Sequence, residues 1–201
     1  MRLRMMAMSL AMGACCVMGM SPVAAGAQAM TMMAKKDSGP GSPAKAADQL
    51  LNLFEHEAMG VAETMPADKY NFAPTQTIFA PGQAVKFDTV RTFVQQVTHL
   101  TEANYYFYSS VSGIKPDVDT KALANITTKD EAVAALAASF RFAHRAIATI
   151  TPENAFLPIK PVDGMNTRMA IAAFGVAHGY DHYGQMVEYL RMNGLVPPGS
   201  K

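Results

Sequence analysis

Apolar residues return every three or four positions along four long stretches of this 201-residue chain, the period of a helix with one buried face. Leu50, Leu51, Phe54, Ala58 and Val61 predict a first helix from about Lys45 to Met65, ended by Pro66. Val90, Val94, Val97, Asn104, Phe107 and Val111, with Phe93 and Leu100 beside them, predict a second from about Asp88 to Val111. Gly113 and Pro116 close it. A third is expected from about Lys129 to Ile150, opened by the capping box Thr128-Lys129-Asp130-Glu131 and stopped by Pro152. The fourth is expected from about Met165 to Asn193, with Gly194 as its cap and Pro197-Pro198 beyond. Residues 66–86 carry Pro66, Pro74, Pro81 and Gly82 and read as a long ordered crossing loop; 151–164 is a second Pro-containing loop. No stretch shows the sustained alternation of a strand. The expected fold is all-α, an antiparallel four-helix bundle with long loops.

The first residues follow a different pattern. Arg2 and Arg4 precede an apolar run from Met5 to Met20, Ser21-Pro22 breaks it, and Ala27-Gln28-Ala29 offers small residues for cleavage. That is the layout of a signal peptide over 1–29, too short an apolar run to span a bilayer stably. The expected destination is periplasmic or secreted, with no stable membrane span once the leader is cleaved near Ala29. A lipoprotein anchored at Cys15 is the poorer match, because Met12-Gly13-Ala14-Cys15 has Met at its first position. Residues 30–47, rich in Lys, Gly, Ser and Pro, read as a flexible leader; residues 48–200 read as the helical domain.

Cleavage removes Cys15 and Cys16, the chain's two cysteines, so neither a disulfide nor a thiolate ligand is expected in the mature protein. The formal net charge of +1 gives no electrostatic case for nucleic acid.

The candidate chemistry lies in five histidines. His178 and His182, in Ala177-His178-Gly179-Tyr180-Asp181-His182-Tyr183, are four apart on the fourth helix. They share an inward arc of roughly 120° with Ile171, Phe174, Gly175, Met186 and Tyr189. Two imidazoles buried side by side need compensation, which a shared cation supplies. Hydrogen bonds to other side chains or water are the alternative. His99 sits at the edge of the second helix's apolar arc, a position that suits a ligand at a bundle mouth or a half-exposed residue equally. His56 and His144 read as surface or boundary residues. Glu55 and Glu57 could supply a fourth ligand or a base, but nothing in the spacing selects them. Tyr105-Tyr106-Phe107-Tyr108 reads as core and rim packing. HGYDH has Gly179 where a zincin needs its catalytic Glu, and Asp181 lies about 100° around the helix from His182, so a conventional metalloprotease is disfavoured.

Four motifs in order resemble the DinB superfamily. They are Met65-Pro66-Ala67-Asp68-Lys69-Tyr70-Asn71-Phe72-Ala73-Pro74; Val97-Thr98-His99-Leu100 with Ala103-Asn104; His178 through Gln185; and Tyr189 through Ser200. The resemblance implies a four-helix bundle with a long connection and a divalent metal held by His99, His178 and His182. Characterised members include thiol-dependent S-transferases and isomerases that use bacillithiol, mycothiol or glutathione. An exported protein is removed from the compartment where such thiols are made.

The expectation is thus an exported protein that binds a divalent metal through three imidazoles, zinc or nickel first, although imidazole ligation also suits copper and iron and does not choose among them. It would act as a metal-dependent hydrolase or thiol S-transferase on a small molecule, with the catalytic base unknown. The alternatives are a non-catalytic bundle receiving an apolar ligand near Tyr105, Tyr106 and Tyr108, and a structural or partner-binding bundle, for which homodimerisation is the natural mode.

Overall fold

The computed structural model describes residues 41–75, 81–83 and 89–200. The expected signal peptide, Cys15 and residues 30–40 of the expected leader lie outside the described residues, as does Asp88.

Four long helices carry the described fold: α1, Pro43–Thr64; α2, Phe93–Ser112; α3, Lys129–Ile147; and α4, Arg168–Met192. Their boundaries follow from local chemistry. Ser42 caps α1 by accepting the Lys45 amide at 3.2 Å, and Pro43 occupies a first-turn position where its missing N–H costs nothing. Helix therefore begins two residues before the expected Lys45, inside the stretch read as leader. α2 starts later than expected because Thr92 and Gln95 form a reciprocal capping box. Val90 falls outside the helix and is exposed. Thr128 caps α3 as expected, but the helix ends at Ile147 rather than Ile150.

α4 starts three residues after the expected Met165, because a short hairpin precedes it within an otherwise helical fold. Pro158–Val162 (β1) and Met165–Thr167 (β2) pair antiparallel, joined through Asp163 and Gly164. Both turn residues have positive φ, +47° and +83°, the backbone of a two-residue hairpin whose hand matches strand twist.

The helix directions can be read from side-chain partners. Lys129 at the start of α3 bonds the carbonyls of Glu63 and Met65 at the end of α1. Val94 and Phe93 at the start of α2 bond the carbonyls of Tyr70 and Phe72, just past α1. The Tyr189 hydroxyl near the end of α4 donates to the Arg91 carbonyl. One end of the bundle therefore gathers the C-termini of α1 and α4 with the N-termini of α2 and α3. The antiparallel packing expected from sequence joins α1 to α3 and α2 to α4, while α2 and α3 run the same way. A parallel neighbour requires a connection that returns the length of a helix, about 30 Å for twenty residues. Residues 113–128, which include the 3-10 segment Thr120–Asn125, make that return.

The core is built from Leu51, Phe54, Ala58, Val61, Leu100, Phe107, Leu136, Phe140, Ile171 and Met186, all almost wholly buried. Leu50, placed on the inward stripe of α1 by spacing, is 42% exposed instead. No helix among the described residues is long and apolar enough to cross a membrane.

Candidate metal centre

α2 and α4 face each other over much of their lengths. Gln96 meets His182 and Gln185 near one end, and the Tyr108 hydroxyl meets the Ala172 carbonyl near the other. His99 lies between these contacts on α2, and His178 and His182 lie one turn apart on α4.

The three rings converge. Their centroids are 5.4 Å apart for His99–His178, 4.6 Å for His99–His182 and 4.7 Å for His178–His182, all edge-to-face. One ring nitrogen from each lies within 4.8 Å of the others, close enough to hold a metal ion. Nitrogens sharing one tetrahedral zinc at about 2.0–2.1 Å stand roughly 3.3 Å apart, so small side-chain rotations close the set. The buried Nε2 of His178 has no hydrogen-bond partner among the described residues. A buried polar atom without a partner is costly, and a cation seated among the three nitrogens would remove that cost. The donor set therefore fits a borderline metal that accepts imidazole.

Electrostatics favours ligand-ready rings. Burial pushes His99 down to about 4, aided by the Arg91 cation and then by His182 and His178. His182 is also pushed down to about 4, first by burial and then by His178, with Asp181 acting in the opposite sense. Burial lowers His178 as well, against the pull of Asp181 and Asp163. All three are neutral near pH 7, the form that binds metal.

The open side faces a cavity of about 280 Å³ lined by His99, Glu102, Tyr106, Phe107, Asp163 and His178. Two carboxylates, Glu102 and Asp163, thus share a cavity with two of the three imidazoles. Burial raises the Glu102 carboxyl, with Arg91 opposing. The Phe107 ring meets His178 edge-on at 5.3 Å and holds that wall apolar.

The other candidates go elsewhere. His56 is exposed. Glu55 bonds His144 Nε2 at 2.9 Å and Asp48 bonds His144 Nδ1 at 2.6 Å, a clip between α1 and α3. Glu57 lies near Tyr180, whose phenol is held above its ordinary value by burial, with the Glu57 charge acting in the same sense. Tyr105, Phe107 and Tyr108 are core residues, whereas Tyr106 is 54% exposed and lines the cavity. Gly179, which separates this motif from the zincin pattern, has a packing role. A Cβ there would overlap the Phe54 ring of α1. Asp181 is exposed, as the helical angle implied.

Sequence reasoning missed Asp163, Glu102, Gln96 and Gln185. Asp163-Gly164 is the dipeptide signature of a tight hairpin and pointed to a chain reversal there. Glu102 and Gln96 lie three residues either side of His99, and Gln185 three beyond His182, on shared helix faces.

Comparison with known families finds that the model of the DinB superfamily matches residues 50–186, which span all three histidines. No curated protein matches the chain.

Proposed function

This chain belongs to the DinB superfamily, and on that premise we propose that it is an exported metalloprotein whose divalent ion, zinc or nickel, is held by His99, His178 and His182. The observation that carries the reading is the approach of one ring nitrogen from each of three neutral histidines to within 4.8 Å of the others, with the buried Nε2 of His178 lacking a hydrogen-bond partner among the described residues. Three ligands leave a coordination position open, as reactive rather than structural zinc sites do. When bound, the ion supplies Lewis acidity and an acidified water.

The chain's own groups then suit small-molecule chemistry, hydrolysis or thiol transfer. The cavity of about 280 Å³ admits a small substrate to the face beside His99 and His178. Phe107 and Tyr106 give it an aromatic wall. Glu102, raised by burial, and Asp163, carried in on the hairpin turn, are the carboxylates placed to take a proton from the nucleophile. A second cavity of about 470 Å³ beside Tyr105 and Tyr106 supports the alternative of ligand binding without chemistry. Binding there that survives a chelator would favour it.

Export rests on the leader sequence of residues 1–29, and N-terminal sequencing of the mature protein tests it: an intact Met1 removes the proposal. The metal reading is tested by elemental analysis of wild-type protein beside the His178→Ala/His182→Ala double variant. The wild type is expected to carry about one ion per chain and the variant almost none. Equal contents would end the reading.

A further inference from the structure

Resting on the three-histidine reading, we infer that Gln96, Gln185 and Asp181 form a hydrogen-bonded relay that places the proton of His182 on Nδ1 and presents Nε2 as its ligand atom. The relay begins at the surface. Asp181, exposed on α4, accepts the Gln185 amide through its carboxylate at 3.1 Å and through its backbone carbonyl at 3.4 Å. Gln185 Oε1 accepts Gln96 Nε2 at 2.7 Å. Gln96 Oε1 stands 2.8 Å from His182 Nδ1.

The direction of every bond follows from what its ends can do. A carboxylate and a peptide carbonyl accept and cannot donate. Gln185 must therefore turn its NH₂ toward Asp181 and its oxygen toward Gln96. Gln96 must then turn its NH₂ toward Gln185 and its oxygen toward His182. Facing an oxygen, Nδ1 must carry the proton, and Nε2 is left with a bare lone pair. Side-chain amides and imidazoles are otherwise ambiguous in orientation. Here two acceptor-only groups at the surface remove the ambiguity.

The other tautomer would set two lone pairs face to face at 2.8 Å inside the protein, because Gln96 is 1% exposed and water cannot intervene. Flipping both amides to relieve it would only move the conflict to Asp181. Gln96, Gln185 and Asp181 are thus positioning residues: they act through His182 and touch no substrate. Partners of this kind fix ring orientation and raise ligand basicity, and losing one typically costs about 10- to 100-fold in metal affinity. Among the described residues neither His99 nor His178 shows such a hydrogen bond: the Glu102 carboxylate stands 4.0 Å from His99 Nδ1.

The test uses ¹⁵N-labelled, metal-free protein at neutral pH, in which two-bond ¹H–¹⁵N correlations report each histidine's tautomer, together with zinc titrations. The wild type is expected to show His182 wholly as Nδ1–H. Gln96→Leu should show a mixed or Nε2–H ring and bind zinc about 10- to 100-fold more weakly. Gln96→Glu keeps an acceptor at Nδ1 but turns a second oxygen toward Gln185 Oε1, so it should keep the Nδ1–H ring and recover part of the zinc affinity lost in Gln96→Leu. An Nε2–H ring in the wild type overturns the inference, as do equal losses in Gln96→Leu and Gln96→Glu. If Gln96→Leu fails to fold, the wild-type tautomer and Gln96→Glu decide the matter. A wild type that binds no zinc refutes the metal reading, while its tautomer still judges the relay.

Discussion

Replacing His178 by Leu separates stability from metal binding in a way that tests the site directly. Nε2 of His178 is buried without a hydrogen-bond partner among the described residues. Such an atom costs about 1–3 kcal/mol of desolvation. Leucine has nearly the same volume and no polar atom, so the substitution removes that cost. It also gives up the edge-on contact with Phe107 at 5.3 Å, a loss of about 0.5–1.5 kcal/mol. The balance in chelator is a gain on the order of 1 kcal/mol, or a melting point about 2–4 °C higher for a domain of this size. Zinc reverses the ranking. With free zinc held at a hundred times its dissociation constant, the wild type gains about 2.7 kcal/mol, or roughly 5–11 °C. The variant, reduced to two ligands, should gain little. Differential scanning calorimetry with chelator and with zinc reads both effects, and the two curves should cross. A His178→Leu protein that melts several degrees below the wild type in chelator would refute the reasoning, because the orphaned nitrogen would then have had compensation that the packing does not reveal.

Three further outcomes follow from the packing. Gly179→Ala forces a methyl into the Phe54 ring where α1 meets α4, and should destabilise by about 1–3 kcal/mol in urea unfolding; an unchanged midpoint would mean that the helices separate freely. Ser139→Ala strips the buried Asn104 amide of its partner at 2.9 Å and should cost about 1–3 kcal/mol, whereas Asn104→Leu/Ser139→Ala should cost less than the sum of the two single changes. Burial acts to lower the His144 ring, but hydrogen bonds to Glu55 and Asp48 outweigh it and raise the ring above its ordinary value. Its folded value exceeds the unfolded one of about 6.5, so its contribution is complete below about pH 6.5 and fades as pH rises through the folded value. With these partners partly exposed the contribution is about 1–2 kcal/mol, and His144→Ala should flatten that part of the stability–pH curve.

Both the fold and the histidine set were largely legible in the linear chain, for different reasons. Helical spacing, the Thr128 cap, Gly113 and Gly194 set out four amphipathic segments, since caps and period are local properties that survive in one dimension. His178 and His182 shared a face because one helix carries both. His99 could not be joined to them by spacing: it sat at the edge of an arc, and only the resemblance to a family supplied the link. The hairpin escaped notice because β1 and β2 are short and lack alternation, although Asp163-Gly164 marked the turn.

By itself, then, the sequence determined which stretches become helices and which faces turn inward, because those depend on contacts within a few residues. The tertiary structure alone decided that α2 runs antiparallel to α4 with His99 opposite His178 and His182, that Phe54 needs a glycine at 179, and that Gln96 reaches across to His182. Each of these joins residues roughly 80 to 125 positions apart on separate elements. Such pairings are selected by how side chains of different helices fill shared space and satisfy one another's buried polar atoms, and periodicity within one helix carries no record of its neighbour.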